Sequence, residues 1–398
     1  MTAQSLIERG ISRAVLNADE LISEVDADII PFLEGMCLRH YAFDRYKSGV
    51  PKAALTIAVP SDGISTATRK AVQKALKVCE ATHTARTLGH EPPNIINPVS
   101  LAEYCKRMAK SWGLSCKVID DKQLARMKAN GIVQVGIGSK TPSRLIILTH
   151  EGSGGTRTKP VVLVGKAITF DTGGYSLKDK NGIVGMKYDK CGGMAVIGTM
   201  HACATAGCKT PVIGVIAAAE NMISGEAYRP NDIIRMLNGK TVEIISTDAE
   251  GRMVLADSLA YAEKEFKPRC MIDVATLTGG VVVALGNQRA GLMTDDDQLA
   301  TRLMEAGNRV NEKLWRLPLD DEYLELIRGD DSDLKNSGGR AAHAIIGGMF
   351  LKQFVTSKTP WAHLDIAGMG DVDKDTAICP KGATGFGVRL LYDFLSQL

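Results

Sequence analysis

The chain has 398 residues, of which 45% are hydrophobic and 23% charged, and its net charge is +3. This composition is typical of a globular protein and excludes a disordered or fibrous one. The small net charge does not favour a nucleic-acid or membrane partner. The length predicts one large domain accompanied by a smaller one.

The nine cysteines are scattered and lack the paired spacings of a disulfide framework or a zinc finger. Reduced thiols, as in cytosolic proteins, fit this pattern best. The first twenty residues are polar and charged where a secretory signal needs an apolar stretch, and no apolar run is long enough to span a bilayer. The sequence therefore predicts a cytoplasmic enzyme with no membrane partner.

The first part of the chain predicts a shortened amino-terminal domain over residues 1–66. It contains two helices and a short strand, Ala53–Val59, which the turn-rich segment 60–63 closes. A helical pattern follows and forms a linker helix over residues 67–90, until Glu91-Pro-Pro-Asn breaks it. Residues 91–398 form the catalytic domain, and Ser100 with Glu103 predicts a capping box for its first helix.

Apolar strands and helices alternate through the rest of the chain. The predicted strands are Arg144–Thr149, Val161–Val164, Pro211–Ala217, Val242–Ile245 and Met271–Ala275, and the predicted helices are Gly192–Ala206, Met253–Lys264 and Ala344–Val355. Continuous apolar strands separated by helices indicate an α/β fold with a mainly parallel central sheet flanked by helices. Ligands of such sheets bind beyond the carboxyl ends of the strands.

Polar residues gather after two of these strands. One segment runs from Lys166 through Asp171 and Lys178 to Asp189, and the other contains Asp248 and Glu250. Buried charges at strand ends are costly unless they are paired or bind a metal. In an extended segment Asp248 and Glu250 would point the same way and hold one ion, while Asp171 and Asp189 complete a second position. Two such ions would lie about 3.5–4 Å apart.

Simpler interpretations exist for each residue taken alone. An aspartate in a glycine-rich turn is most often a turn former or helix cap, and a single lysine is usually a solvated charge. The glycines at 173, 174, 192 and 193 suggest a phosphate loop, but the Walker pattern is absent. HExxH, CxxC and GxSxG are absent too, and His363 is interpreted as structural.

The same residues closely resemble the leucyl aminopeptidase family, including its peptidase B branch. The motifs that carry the resemblance are Val164-Gly-Lys166 through Gly174, Met186-Lys-Tyr-Asp189, Thr247-Asp-Ala-Glu-Gly-Arg252, Thr276-Leu-Thr-Gly279, Asp333-Leu-Lys-Asn336 and Trp361–Gly368. The resemblance covers the chain from about Phe43 to its end. It implies a two-metal aminopeptidase that releases amino-terminal residues, leucine-like ones preferred, from peptide substrates.

The resemblance also implies a role for each matching position. Lys166, Asp171, Asp189 and Glu250 would bind a tightly held ion, and Asp171, Asp248 and Glu250 an exchangeable one, either Mn²⁺ or Zn²⁺. Lys178 and Arg252 would be catalytic, with bicarbonate as a proton shuttle held at Arg252, Gly251 and Leu277. The substrate-binding positions would be Lys178, Met186, Asp189, Thr276 and Gly279. The family resemblance further implies a homo-hexamer.

The sequence departs from the family pattern at Ser246, where asparagine is usual, and at Tyr175 and Cys191. The amino-terminal domain is also shorter than the family's. The sequence leaves two alternative functions. The near-neutral charge argues against a nucleic-acid-binding regulator, and the intact set of candidate ligands argues against a catalytically silent oligomeric scaffold.

Overall fold

A computed structural model describes residues 13–15, 25–48, 56–58, 65–153 and 158–398. The strands in these ranges are β1 (Arg13–Val15), β2 (Thr56–Ala58), β3 (Ser115–Ile119), β4 (Arg144–His150), β5 (Val161–Asp171), β6 (Val212–Asn221), β7 (Ile233–Arg235), β8 (Thr241–Glu243), β9 (Cys270–Ala275), β10 (Ala290–Met293), β11 (Leu314–Arg316), β12 (Leu334–Lys335), β13 (Trp361–Asp365), β14 (Asp371–Val372) and β15 (Gly382–Ala383).

The helices in the same ranges are α1 (Val25–Arg39), α2 (Thr66–His90), α3 (Pro98–Trp112), α4 (Asp121–Met127), α5 (Asn130–Gly136), α6 (Lys180–Ile183), α7 (Cys191–Thr205), α8 (Glu250–Phe266), α9 (Gly279–Leu285), α10 (Asp297–Arg309), α11 (His343–Lys352) and α12 (Val388–Ser396), with 3₁₀ helices at Met186–Lys190 and Asp321–Ile327. None of the described helices is both long and apolar enough to cross a bilayer.

The central sheet has eight strands in the order β11-β10-β13-β9-β5-β6-β4-β3. Strands β13, β9, β5 and β6 run parallel at its centre. Strands β4 and β3 continue it antiparallel on one side, and β10 pairs antiparallel with β13 on the other. Four of the seven pairings are parallel, which confirms the predicted α/β fold with a mainly parallel sheet.

Helices cover both faces of this sheet. Along β5 the side chains alternate: Val161 and Leu163 enter one core cluster, and Val162 and Val164 enter the other. The first cluster contains the buried side chains of α2, α3, α7, α10 and α12, and the second those of α4, α5, α8 and α11. Because both faces of the sheet are covered, β5 is buried at almost every position, and its first four residues are all apolar rather than alternating.

One predicted strand lies outside the central sheet. The segment predicted as Val242–Ile245 forms β8, which pairs with β7 and β12 in a separate three-stranded sheet. The apolar run is real, but a run of four residues does not reveal which sheet its strand joins. The prediction that this strand belongs to the central sheet is therefore wrong.

Glycines allow α7 to approach the sheet closely. A Cβ on Gly192 would lie 2.2 Å from the carbonyl oxygen of Val274, and one on Gly193 would lie 2.7 Å from the Cβ of Ala167. Real Cβ atoms do not approach that closely, so these glycines serve helix–sheet packing. The phosphate-loop interpretation is not needed to explain them.

The region before the sheet differs from the predictions in two details. Strand β2 lies within the predicted strand Ala53–Val59, whereas β1, its parallel partner, is not predicted by the sequence pattern. The predicted turn at 60–63 lies outside the described residues. The first helix of the predicted catalytic domain begins at Pro98, and its capping box joins Asn97 with Ser100. The predicted Ser100–Glu103 box is therefore wrong, because the helix starts earlier.

Candidate active site

Six charged side chains from separate segments meet near the end of β5. Lys166 lies within β5, and Asp171 ends it. Asp189 lies on the 3₁₀ helix that leads into α7, and Glu250 is the first residue of α8. Lys178 lies in the loop that follows β5, and Asp248 lies in the loop that precedes α8.

Lys166 joins three of these segments. Its Nζ lies 2.9 Å from Asp189 Oδ1 and 3.0 Å from Glu250 Oε1, and it donates to the carbonyl oxygen of Thr276 at 2.8 Å. Burial by itself would lower the pKa of Lys166, but the charges of Asp189 and Glu250 outweigh it, so its pKa lies above the ordinary value.

Lys178 neutralises the more open side of the site. Its Nζ lies 2.8 Å from Asp171 Oδ2 and 2.5 Å from Asp248 Oδ1. Burial opposes the charged form, but the carboxylates of Asp171, Glu250 and Asp248 prevail and raise the pKa of Lys178. The side chain is therefore an ammonium ion at neutral pH.

Three carboxylates form an acidic cluster: Asp171, Asp248 and Glu250. One oxygen from each lies within 4.8 Å of the other two. The predicted convergence of Asp171, Asp248 and Glu250 is thus present in the structure. The predicted backbone conformation is wrong, because Asp248 lies in a turn and Glu250 in a helix rather than both in an extended segment.

Two carboxylate oxygens at the site are buried and have no hydrogen-bond partner among the described residues: Asp189 Oδ2 and Glu250 Oε2. Burial raises the pKa of Glu250 to about 8, with a further contribution from Asp171, and burial raises the pKa of Asp189 to about 6. Lys166 pairs with the other oxygen of each carboxylate, but a buried carboxylate oxygen without a partner is unfavourable, and a further cation would stabilise it. Hard oxygen donors of this kind suit divalent cations, so the residues present fit a metal centre.

The sequence profile of the cytosol aminopeptidase family, catalytic domain, matches residues 83–392 of the chain. The chain belongs to this family. It is accordingly a metal-dependent aminopeptidase, a peptide hydrolase, as the resemblance implied.

Individual members of the cytosol aminopeptidase family are similar in sequence to most of the chain. A probable cytosol aminopeptidase of Geotalea uraniireducens (strain Rf4) is 44% identical over 372 residues, which are 92% of this chain and 74% of the relative. One of Wolbachia pipientis wMel is 43% identical over 365 residues, covering 90% of this chain and 72% of the relative.

Among solved structures, the bottromycin maturation enzyme BotP in complex with Mn is similar with a TM-score of 0.91 and 35% identity. The match covers 99% of this chain and 86% of that chain. A second BotP structure has a TM-score of 0.85 and 37% identity, covering 92% of this chain and 78% of that chain.

Arg252 lies buried on the first turn of α8, beside Gly251. Its Nη1 donates to the carbonyl oxygen of Asn336 at 2.7 Å, and its Nε has no partner among the described residues. Burial lowers the pKa of Arg252 to about 10, so the guanidinium remains charged at neutral pH. The N–H of Leu277 donates to Asp365 Oδ1 at 3.1 Å and is therefore already paired.

The predicted substrate positions lie on two segments that border the charged residues. Thr276 donates its hydroxyl to Asp189 Oδ1 at 2.9 Å, so it is in direct contact with the site. Met186 begins the 3₁₀ helix that carries Asp189 and is half-buried. Gly279 begins α9 and is exposed.

Two positions that depart from the family pattern have defined contacts. Ser246 Oγ accepts the N–H of Asp248 at 3.2 Å, which fixes the turn before that carboxylate. The Tyr175 hydroxyl donates to the carbonyl oxygen of Ser224 at 2.9 Å, while its ring remains largely exposed.

Several buried polar residues support the site, and no role for them is predicted from the sequence. Asn221 and Tyr228 both donate to the carbonyl oxygen of Thr247. The Asn336 side chain accepts from the N–H groups of Ile245 and Ser246 and donates to the carbonyl oxygen of Ser246. Asn221 is the last residue of β6, four residues beyond the predicted end of that strand at Ala217, so the predicted strand did not point to it.

His363 lies inside the central sheet. Its Nδ1 is 2.5 Å from Asp273 Oδ1, on the neighbouring strand β9, and both side chains are fully buried. Trp361 Nε1 donates to the other oxygen of Asp273 at 2.8 Å. These contacts agree with the structural interpretation of His363.

Proposed function

We propose that this metallo-aminopeptidase uses two divalent ions and prefers leucine-like amino-terminal residues. The main support is that four carboxylates from separate segments converge on two lysines and leave Asp189 Oδ2 and Glu250 Oε2 buried without a partner among the described residues. Four carboxylates outnumber the two lysines, so binding of divalent cations would stabilise this site.

In this proposal Lys166, Asp171, Asp189 and Glu250 would hold one ion, and Asp171, Asp248 and Glu250 the other. Lys166 can act as a ligand only when its amine is neutral, and a nearby dication lowers an amine pKa in the required direction. When bound, two such ions supply a polarised substrate carbonyl and water that is acidic enough to give hydroxide near neutral pH. The Mn in the BotP complex supports Mn²⁺ as one suitable ion, and Zn²⁺ is the alternative.

Lys178 would stabilise the oxyanion that develops on the substrate carbonyl oxygen. Its ammonium is only partly exposed and lies against the acidic cluster, where the surrounding charges keep it protonated. A fixed positive charge at this point stabilises the transition state more than the neutral ground state.

Arg252 would hold a bicarbonate ion that carries a proton away from the attacking water. Its buried, unpartnered Nε supports an anion site at this position, with Gly251 next to it in α8. The N–H of Leu277 already donates to Asp365. Leu277 would therefore border the bicarbonate site without donating a hydrogen bond to the ion.

The requirement for a free amino terminus would follow from the acidic cluster. A neutral terminal amine would donate its lone pair to the exchangeable ion that these carboxylates would hold, whereas an internal peptide bond offers no basic nitrogen. Met186, Thr276 and Gly279 would border the pocket for the terminal side chain. A pocket that includes the apolar Met186 suits leucine or methionine.

The decisive test compares two substrates on the Mn²⁺-loaded full chain. A leucyl dipeptide with a free amino terminus should release leucine, and the amino-acetylated dipeptide should release none. Equal cleavage of both would refute the exopeptidase mechanism. Glu250→Ala should lose metal and turnover together, whereas Glu103→Ala, which removes an exposed carboxylate paired with Lys106, should keep both.

Three further predictions accompany this proposal, the first from the family resemblance and the other two from the sequence pattern. They are a homo-hexamer, a cytoplasmic location, and a boundary between the amino-terminal and catalytic parts at residues 67–90. Light scattering would measure the particle mass, and cell fractionation the location. Limited proteolysis within the boundary would test whether residues 91–398 persist as a stable fragment.

A further inference from the structure

Asn221 occupies a special position at the end of β6. It is fully buried, and it is the register partner of Asp171 at the end of β5. Its backbone carbonyl accepts both the N–H of Thr172 at 3.0 Å and the hydroxyl of Thr172 at 2.9 Å. The main chain at this strand end is therefore held without any help from the Asn221 side chain.

The side-chain amide instead joins two segments of the site. Asn221 Nδ2 donates to Asp171 Oδ1 at 2.8 Å and to the carbonyl oxygen of Thr247 at 3.0 Å. Both partners are acceptors, so only the NH₂ group can face them, and this fixes the orientation of the amide. Each of its two hydrogens has one acceptor.

The two acceptors lie on different parts of the site. Asp171 ends β5, and Thr247 immediately precedes Asp248 in the loop before α8. Thr247 is also fully buried, and its carbonyl oxygen accepts a second bond from Tyr228 at 2.8 Å. The amide of Asn221 is thus a direct bridge between the strand that carries Asp171 and the loop that carries Asp248.

We infer that Asn221 is a positioning residue that sets the spacing of Asp171 and Asp248 and directs Asp171 Oδ2 into the site. With Oδ1 of Asp171 occupied by Asn221 and by the N–H of Gly173 at 2.8 Å, Oδ2 is the oxygen that faces the Lys178 ammonium. Hydrogen bonds from a second residue orient metal ligands in this way. The inference rests on the proposed role of Asp171 and Asp248 as ligands of the exchangeable ion.

Calorimetric titration of the metal-stripped full chain with Mn²⁺ tests this role directly. Asn221→Ala removes the bridge, and Asn221→Leu removes it while keeping the branched outline of the side chain. Both variants should bind Mn²⁺ about 10–100-fold more weakly at the weaker of two sites, because loss of such a second contact typically has that effect. If the alanine variant does not fold, the leucine variant decides.

Thr210→Val is the matched control. Thr210 is buried just before the other end of β6 and donates to the carbonyl oxygen of Leu395 at 3.0 Å. Its valine variant loses a buried hydrogen bond of similar length and should bind Mn²⁺ as the wild type does. If the role of Asn221 is purely structural, the Asn221 variants should behave as Thr210→Val does. All of them would then have lower thermal stability and unchanged Mn²⁺ affinity.

Measurements on the wild type and on Asp171→Asn distinguish failure of the Asn221 inference from failure of the proposed ligand assignment. If the wild type binds two Mn²⁺ ions, Asp171→Asn weakens that binding, and folded Asn221→Leu binds as tightly as the wild type, the role of Asn221 is refuted and the proposed metal ligands stand. If Asp171→Asn leaves Mn²⁺ binding unchanged, the ligand assignment fails, and the inference about Asn221 fails with it.

Discussion

A Cβ atom on Gly251 would lie 2.6 Å from Nζ of Lys166, and equally close to its Cε. Gly251 is the second residue of α8, so the start of this helix passes directly against the lysine that pairs with Asp189 and Glu250. Gly251→Ala should force the Lys166 side chain out of this position. We expect kcat to fall at least about 100-fold, with a loss of stability of about 1–3 kcal/mol from overpacking.

The control for this substitution is Gly35→Ala. Gly35 lies within α1, and a Cβ there would have nothing within 4 Å. Alanine is favoured over glycine inside a helix by about 1 kcal/mol, so this variant should be at least as stable as the wild type and fully active. Wild-type kcat in Gly251→Ala would show that the position of Lys166 does not matter for turnover.

Lys178→Ala should separate metal binding from catalysis. Removing the ammonium that lies between Asp171 and Asp248 takes away a competing positive charge, so Mn²⁺ should bind at least as tightly as before. Turnover should fall by about 10²–10³-fold, the usual effect of removing one donor to a developing oxyanion. Metal content by mass spectrometry and kcat on a leucyl dipeptide measure the two effects, and an unchanged kcat would exclude Lys178 from the chemistry.

Asn336→Ala should destabilise the loop before α8. The side chain makes three hydrogen bonds, of 2.8 Å and 3.1 Å from the N–H groups of Ile245 and Ser246 and of 2.6 Å to the carbonyl oxygen of Ser246. At about 1 kcal/mol each, their loss should lower the free energy of unfolding by about 3 kcal/mol. Urea denaturation measures this change.

Asn238→Ala provides the comparison for Asn336. Asn238 lies in the turn between β7 and β8 of the same three-stranded sheet, and its side-chain contacts are exposed. Its substitution should change the unfolding free energy by less than about 0.5 kcal/mol. Equal effects of the two substitutions would mean that the hydrogen bonds of Asn336 stabilise the fold no more than the exposed hydrogen bonds of Asn238.

The sequence predicts four of the eight strands of the central sheet, β4, β5, β6 and β9, because burial on both faces makes their sequences continuously apolar. Continuous apolar runs such as Val161–Val164 are found in strands of the sheet, but Lys166, which follows this run, lies within β5, and the strand ends only at Asp171. The same reasoning cannot say that β8 joins another sheet, since short apolar strands look alike wherever they pair. It also cannot supply the register that places Asn221 beside Asp171, because register is decided by tertiary packing.

The site was predictable to the extent that its side chains are charged. Lysines and carboxylates in buried positions are conspicuous in a sequence, since burial of a charge has a large free-energy cost. Asn221 and Asn336 are neutral, and asparagine at the end of a strand or in a loop is ordinary turn chemistry. Only the distances in the fold distinguish these two from the other asparagines.

The stability of the folded chain in acid should depend on His201. This side chain is buried against Trp112, with ring centroids 4.2 Å apart, and its Nδ1 lies 3.1 Å from the Thr84 hydroxyl. Burial lowers the pKa of His201 from 6.5 to about 4. Between these two values the unfolded chain binds a proton that the folded chain does not, so the free energy of unfolding falls as the pH falls from about 6.5 to about 4.

His201→Phe should keep the ring stacking on Trp112 and remove this proton. Urea midpoints of the metal-stripped chain, measured between pH 7 and pH 4.5, should decline less steeply for the variant than for the wild type. Burial also lowers the pKa values of His83 and His90 to about 4, so part of the decline should remain. The comparison at pH 7 isolates any packing change, because His201 is mostly neutral there in both states. Parallel curves for the two proteins would mean that His201 is protonated as readily in the folded chain as in the unfolded one.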